Sequence, residues 1–183
     1  MKITVVTAVY NAKDTIVNAI ESILNQSYSN VETIVIDGGS TDGTKEILEE
    51  YRDRLSLFIS EPDNGIYDAL NKGIEYATGD VVGFLHADDL YDNKGVLSCV
   101  AEAFSVPAID AVYGDFVYVY QEQFDRLSGA DRKSKNELLT FSGLEANFTT
   151  YQRQMVCIAI TIPHIRSTVR IKFPKYFNRK LKC

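Results

Sequence analysis

The sequence predicts an α/β fold of three layers, α/β/α, with a mostly parallel central sheet. Three observations carry that expectation. The run Val81-Val82-Gly83-Phe84-Leu85 has no alternating polar residue and is too short for a helix, which suits a strand buried on both faces in mid-sheet. Ahead of it the chain alternates three times between a short apolar run and a segment of helical spacing, the pattern of right-handed crossovers between parallel strands. Each crossover is long enough to hold a helix.

Ile3 to Val9 reads as the first strand and Tyr10-Asn11-Ala12-Lys13-Asp14 as the turn leaving it. Ile16, Ala19, Ile20, Ile23 and Leu24 then form the apolar stripe of a helix, with Asn11 or Asp14 available as its cap. Val31 to Ile36 is a second strand, followed by Asp37-Gly38-Gly39-Ser40-Thr41-Asp42-Gly43-Thr44 and a helix carrying Ile47, Leu48 and Tyr51. Leu57 to Ser60 is a third strand, and Glu61-Pro62-Asp63-Asn64-Gly65 is a turn by composition. Ile66, Leu70, Ile74 and Ala77 mark the helix that returns the chain to the central strand, with Gly79 as its C-cap. Beyond the centre, Val96, Leu97, Val100 and Phe104 suggest a helix, and Asp110 to Tyr120 a bent strand or hairpin. Leu138, Leu139 and Phe141 suggest one short helix, and Met155 to Ile162 a last strand.

Composition sets the class. A chain of 183 residues with 45% hydrophobic and 24% charged content fits one globular domain. Met1 leads directly into a strand pattern with no signal-like segment, which predicts a cytoplasmic protein. Cys99, Cys157 and Cys183 are odd in number and widely spaced, as befits a reducing compartment, and they have no zinc spacing. The net charge of −6 hides an asymmetry: residues 165 to 183 hold seven Lys or Arg and no acid, so the rest of the chain stands at −13. An acidic body argues against nucleic-acid binding, while a basic tail is either solvated or a contact for anionic lipid at the inner face of the membrane.

The chemistry concentrates where the central strand ends, at His86-Ala87-Asp88-Asp89. In an open parallel sheet, ligands bind beyond the carboxyl ends of the strands. Adjacent carboxylates repel each other, and Mg²⁺ or Mn²⁺ relieves that repulsion while keeping coordination sites for phosphate oxygens. An Asp pair also suits a capping turn. The loop from Asp37 to Thr44 could receive phosphate at a helix N-terminus, yet it has neither the P-loop ending nor the Gly-x-Gly-x-x-Gly spacing, so the common NTPase and dinucleotide readings fail.

Taken together, Val9-Tyr10-Asn11, Asp37 to Thr44 and His86-Ala87-Asp88-Asp89, in this order and spacing, resemble the family 2 glycosyltransferases of the GT-A (Rossmann-like) fold. The stretch from Glu61 to Gly73 narrows the resemblance to bacterial members that assemble polysaccharides, and the likeness covers about residues 1 to 120. It implies a nucleotide-sugar-binding core over that range. It also implies that Tyr10 stacks on the nucleotide base and that Asp37 accepts from uracil N3–H, which favours a UDP-sugar. Asp63 and Lys72 lie in the family's polar segment where either can face the nucleotide, although a solvated helix charge accounts for Lys72. The family's metal-binding Asp-x-Asp maps onto His86-Ala87-Asp88, with Asp89 adjoining, so the expected ligands of Mg²⁺ or Mn²⁺ are Asp88 and Asp89. His86, standing for the first acid, reads as a satisfied loop histidine. Gly38 stands where the family often has a second Asp, and Ala8 where it often has Pro.

The implied reaction is inverting transfer of a sugar from that donor to a polysaccharide or lipid-linked saccharide acceptor. It requires a base for the acceptor hydroxyl. No acid follows Glu145, so residues 121 to 183 read as an incomplete or divergent acceptor side of the same domain, and the base stays unassigned, with Glu137 and Glu145 candidates by type only. A rival reading is a nucleotide-sugar-binding module that lacks a complete acceptor site. A nucleotidyltransferase would need a basic Gly-rich loop after the first strand, which Thr7 to Asp14 does not supply.

Overall fold

A computed structural model describes residues 1–106, 109, 111–114, 139–141 and 156–161. Seven strands form one sheet in the order β3-β2-β1-β4-β7-β5-β6. The first four are β1 (Ile3–Val9), β2 (Val31–Asp37), β3 (Leu57–Ser60) and β4 (Val81–Phe84), and they pair in parallel. Between them run α1 (Ile16–Leu24), α2 (Thr44–Glu50) and α3 (Ile66–Tyr76). The second half adds α4 (Val96–Ala103) and the strands β5 (Ala111–Gly114), β6 (Leu139–Phe141) and β7 (Val156–Thr161), all three strands antiparallel to their neighbours. The run at Val81 is thus the fourth of seven strands, in mid-sheet as its apolar composition predicts.

The period-2 alternation of β1 divides the core. Ile3, Val5 and Val9 face the layer of α1, α2 and α4, where Ile16, Ile20, Ile23, Leu48, Leu97 and Val100 are buried against them. Val6 and Ala8 face α3, packing with Ala69, Leu70, Ile34, Ile36 and Val82. Fully burying a branched side chain of this kind contributes about 1.5–3 kcal/mol, and every residue of β1 is buried. Alternation is absent from the β1 sequence because both faces are covered.

Four expectations need correction. Thr15, not Asn11 or Asp14, is the N-cap of α1, and no side chain caps it; Asn11 has φ 50° and its side-chain oxygen accepts from the Thr41 N–H at 2.9 Å. The C-cap of α3 is Ala77, while the N–H of Gly79 donates to Thr4 Oγ1 at 3.0 Å. The segment at Leu139–Phe141 is a strand paired with β5 rather than a helix, because an edge of the sheet supplies partners that helical spacing cannot foresee. The central strand ends at Phe84, with Leu85 N–H still bonded to the Val6 carbonyl at 3.1 Å. The remainder of the Asp110–Tyr120 expectation, Glu137, Glu145 and the basic segment 165–183 lie outside the described residues.

At the amino end of the sheet, Glu32 is buried and fully partnered. Its carboxylate accepts from Lys2 Nζ at 2.6 Å, Thr4 Oγ1 at 2.7 Å, and the N–H and hydroxyl of Thr78 at 2.8 and 2.6 Å. Burial by itself would raise the pKa of this carboxyl, but the Lys2 ammonium and the Thr78 and Thr4 donors overcome it and hold the group at about 2. Folded pKa below unfolded pKa means stability that is present above about 4.5 and lost as pH falls toward 2. Glu32→Gln is therefore expected to lower unfolding stability at pH 7 by about 1–3 kcal/mol. In urea titrations that difference should shrink between pH 4.5 and 2; a gap independent of pH would contradict the network's role.

Gly73 lets α3 approach β1. A Cβ there would sit 2.2 Å from Val6 Cγ1 and 3.3 Å from Val6 Cβ, a clash that a buried strand residue cannot relieve by turning away. Gly73→Ala should cost about 1–3 kcal/mol of stability, and Val6→Ala in the same chain should recover part of it, giving a non-additive cycle. Simple additivity in chemical denaturation would show that the contact is not what limits the helix.

Candidate active site

Tyr10, Asp63 and the pair Asp88–Asp89 lie on the loops that leave β1, β3 and β4 at their carboxyl ends, and Asp37 is the last residue of β2, so parallel pairing alone brings all five to one edge of the sheet. Tyr10 follows the last residue of β1 and is 64% exposed, an open aromatic face beside the strand ends.

The first two loops are laced together. Asn11 N–H donates to Ser40 Oγ at 2.8 Å, Ala12 N–H to Thr44 Oγ1 at 2.8 Å and Lys13 N–H to Asp42 Oδ2 at 3.1 Å, while Thr41 N–H returns to Asn11 Oδ1. Asp42 also accepts from the hydroxyl and N–H of Thr44, the first residue of α2, at 2.6 and 3.0 Å. The Thr44 hydroxyl is the main cause that holds the Asp42 carboxyl below its usual range. These bonds fix the backbone under Tyr10 relative to the Gly-rich loop. Sequence alone offers Asn11 as a cap of α1 and does not foresee this cross-loop bonding, although Asn is enriched at positive φ and Ser, Thr and Asp favour local backbone bonding.

Asp37 is fully buried at the end of β2, between its register partners Val9 and Ser60. Its carboxylate accepts from the Ser40 hydroxyl, from Ser40 N–H at 3.1 and 3.3 Å, and from Ser60 Oγ at 2.7 Å. Asp63, half-buried in the β3–α3 loop, accepts from Gly65 N–H at 2.8 Å through Oδ1. Its other oxygen lies over Gly38, 2.6 Å from where a Cβ would stand. Lys72 is not simply solvated: it pairs with Glu61 at 2.9 Å and Asp68 at 3.7 Å, and the Glu61 bond is the main cause that raises its pKa.

Asp88 is exposed and Asp89 half-buried in a turn closed by Asp89 N–H on the His86 carbonyl at 3.1 Å. Burial raises the Asp89 carboxyl above its ordinary range, the Asp88 charge adds to the rise, and His86 opposes it. The segment that follows the turn is anchored by α1 and the residues after it: Tyr91 N–H donates to Ser22 Oγ, Gln26 Nε2 to the Asn93 carbonyl, and Leu97 N–H to Gln26 Oε1, at 3.2, 2.8 and 3.0 Å. His86 is not a satisfied loop histidine, since its Nδ1 is buried with no hydrogen-bond partner among the described residues.

A divalent cation fits this donor set. Two carboxylates in mutual repulsion, one of them exposed, suit an ion that takes one or two protein carboxylates and completes its shell with phosphate and water. Among the described residues no three acidic, His or Cys side chains are gathered into a ready cage; substrate oxygens would complete such a site. Cys99 is an exposed free thiol on α4, and no described helix is long and apolar enough to cross a membrane.

Comparison with known proteins agrees with this geometry. An uncharacterized glycosyltransferase of Mycobacterium tuberculosis is 35% identical over 131 residues, 71% of this chain and 48% of that protein. TuaG of Bacillus subtilis, whose name provisionally assigns it to teichuronic acid biosynthesis as a glycosyltransferase, is 40% identical over 90 residues, 48% of this chain and 36% of its own. The chain thus spans about half or less of these curated relatives. Among solved structures, S. aureus TarS 1-349 in complex with UDP-GlcNAc superposes with a TM-score of 0.54 at 29% identity over 61% of this chain and 33% of that one. The mannosyltransferase PcManGT of Pyrobaculum calidifontis, in complex with GDP-Man and Mn²⁺, gives 0.57 at 25% identity over 69% and 38%. Both share the GT-A arrangement of the sheet. The family model described as "Glycosyl transferase family 2" matches residues 4–170, well past the stretch on which the sequence motifs lie, and the chain belongs to that family.

Proposed function

We propose that this chain carries the donor side of a glycosyltransferase that moves a sugar from a nucleotide-sugar, a UDP-sugar by preference, to a polysaccharide or lipid-linked saccharide acceptor. One observation carries the reading: an exposed aromatic, two carboxylates and a carboxylate pair, each from a different strand end, share one edge of the sheet. The nucleotide ligands of the TarS and PcManGT structures and the biosynthetic assignment in TuaG's name support it.

In this reading Tyr10 stacks on the base, the loops after β2 and β3 hold the nucleoside, and Asp88 and Asp89 hold Mg²⁺ or Mn²⁺. A bound cation would stabilise the charge that develops on the departing diphosphate. The carboxylates keep that charge beside the strand ends, where the laced loops exclude a wandering backbone. The acceptor hydroxyl attacks the anomeric carbon from the opposite side with inversion, its proton passing to a base on the acceptor side. The site works on the cytoplasmic side, and the basic segment 165–183 contacts anionic lipid at the inner membrane face.

Calorimetric titration of UDP and of GDP, with Mn²⁺ and again with EDTA, followed by an assay for slow UDP-sugar hydrolysis, tests the proposal. Metal-dependent UDP binding with hydrolysis is the expected result. Binding without hydrolysis would favour a nucleotide-sugar-binding module, and no nucleotide binding would sink the reading. Asp88→Ala or Asp89→Ala should weaken UDP by about tenfold or more in Mn²⁺ and little in EDTA; equal loss in both conditions would remove the metal from the site. Tyr10→Ala should weaken UDP by about tenfold through lost stacking of about 1–3 kcal/mol, without lowering the unfolding temperature.

A further inference from the structure

Two carboxylates flank Gly38, and they differ in what they have left to offer a ligand. Asp37 is 0% exposed, and both its oxygens already accept hydrogen bonds from Ser40 and Ser60. An N–H arriving from outside would have to displace one of those donors, leaving a half-buried serine donor without its acceptor. Asp63 is half-buried, and its Oδ1 is held by Gly65 N–H while Oδ2 has no hydrogen bond from a described residue. That second oxygen lies where the side chain of residue 38 would otherwise be: a Cβ on Gly38 would stand 2.6 Å from Oδ2, 3.0 Å from Cγ and 3.1 Å from Oδ1. Gly38 N–H is itself bonded to the Val9 carbonyl at 2.9 Å, so the carboxylate rests on backbone joined to the strand end that Tyr10 follows.

We infer that Asp63, seated in the space left by the missing side chain of Gly38, is the group that reads the base of the nucleotide through its imino N–H, and that Asp37 is a positioning residue that never touches it. This rests on the nucleotide-sugar reading above and refines it. Asp37 holds Ser40 and Ser60 together and so sets the height of the loop on which Gly38 sits. Gly38 makes the exchange possible, because any larger residue would push the Asp63 carboxylate away. An ionised carboxylate only accepts, so it suits uracil, whose N3 carries a hydrogen, and opposes cytosine, whose N3 is an acceptor.

The test is calorimetric titration of UDP and CDP, in Mn²⁺, into the whole chain and three variants. The unaltered chain should prefer UDP by about tenfold or more. In Asp63→Asn the Gly65 N–H keeps the amide oxygen, so the NH₂ group faces the base and the preference should vanish or pass to CDP. Gly38→Ala should lose the preference too, by displacing Asp63. Asp37→Asn should lower the unfolding temperature and weaken UDP and CDP together, with their ratio kept. A ratio that survives Asp63→Asn overturns the inference, as does one that collapses with Asp37→Asn alone. Asp63 lies on a loop outside the core, so its variant keeps the test decisive even if Gly38→Ala fails to fold. Failure of the unaltered chain to bind UDP at all would overturn the nucleotide-sugar reading itself, and the base-reading role with it.

Discussion

The double confinement of β1 is the constraint from which the rest of this structure follows. It is bonded along one edge to β2 and along the other to β4, both in parallel, and each of its seven residues is buried. A strand so placed has no solvent face to write polar residues on, and its neighbours must run in its direction. Helices must then return the chain each time, and every loop that leaves a strand's carboxyl end emerges on the same side. Four separate stretches of sequence meet there because of strand direction, with no long-range contact required to bring any one of them.

The two ends of the sheet treat polar groups differently. At the amino end, Glu32 is enclosed by Lys2, Thr4 and Thr78, each of them a donor, and the carboxyl is held at about 2. Such a network is complete and has no capacity for a ligand. At the carboxyl end, among the described residues, Asp63 Oδ2 lacks a donor and buried His86 Nδ1 lacks a partner, and Asp89 is held above its ordinary range by burial and by Asp88. Incomplete satisfaction of this kind costs stability, and in the proposed reading a ligand at this edge would supply what the protein does not.

Asp37 belongs to the first class though it stands among the second. It is the end of a buried strand, and its carboxylate ties the Gly-rich loop to β3 through Ser40 and Ser60. With Asn11, Asp42 and Thr44 lacing the same loop to the turn after β1, the floor of the proposed site is tied together by the protein's own hydrogen bonds. Preorganisation of this sort lowers the entropic cost of binding.

The apolar runs at Ile3, Val31 and Val81 and the helical stripes between them were enough to determine the parallel half of the sheet, because burial on both faces leaves a composition that nothing else explains. The same logic placed Tyr10, Asp37, Asp63, Asp88 and Asp89 at strand ends, since position in the chain sets position on the edge. Leu138, Leu139 and Phe141 were misread as helical because three apolar residues have no period of their own, and only pairing with β5 makes Leu139–Phe141 a strand. The cap of α1, the partners of Lys72 and the orphaned nitrogen of His86 were equally hidden, since each depends on which distant groups come within reach. What the sequence determined by itself was the layered sheet and the list of residues at its carboxyl edge. Only the tertiary structure decided which of those carboxylates is already bonded and which is open, because hydrogen-bond partners thirty residues away are chosen by packing rather than by spacing.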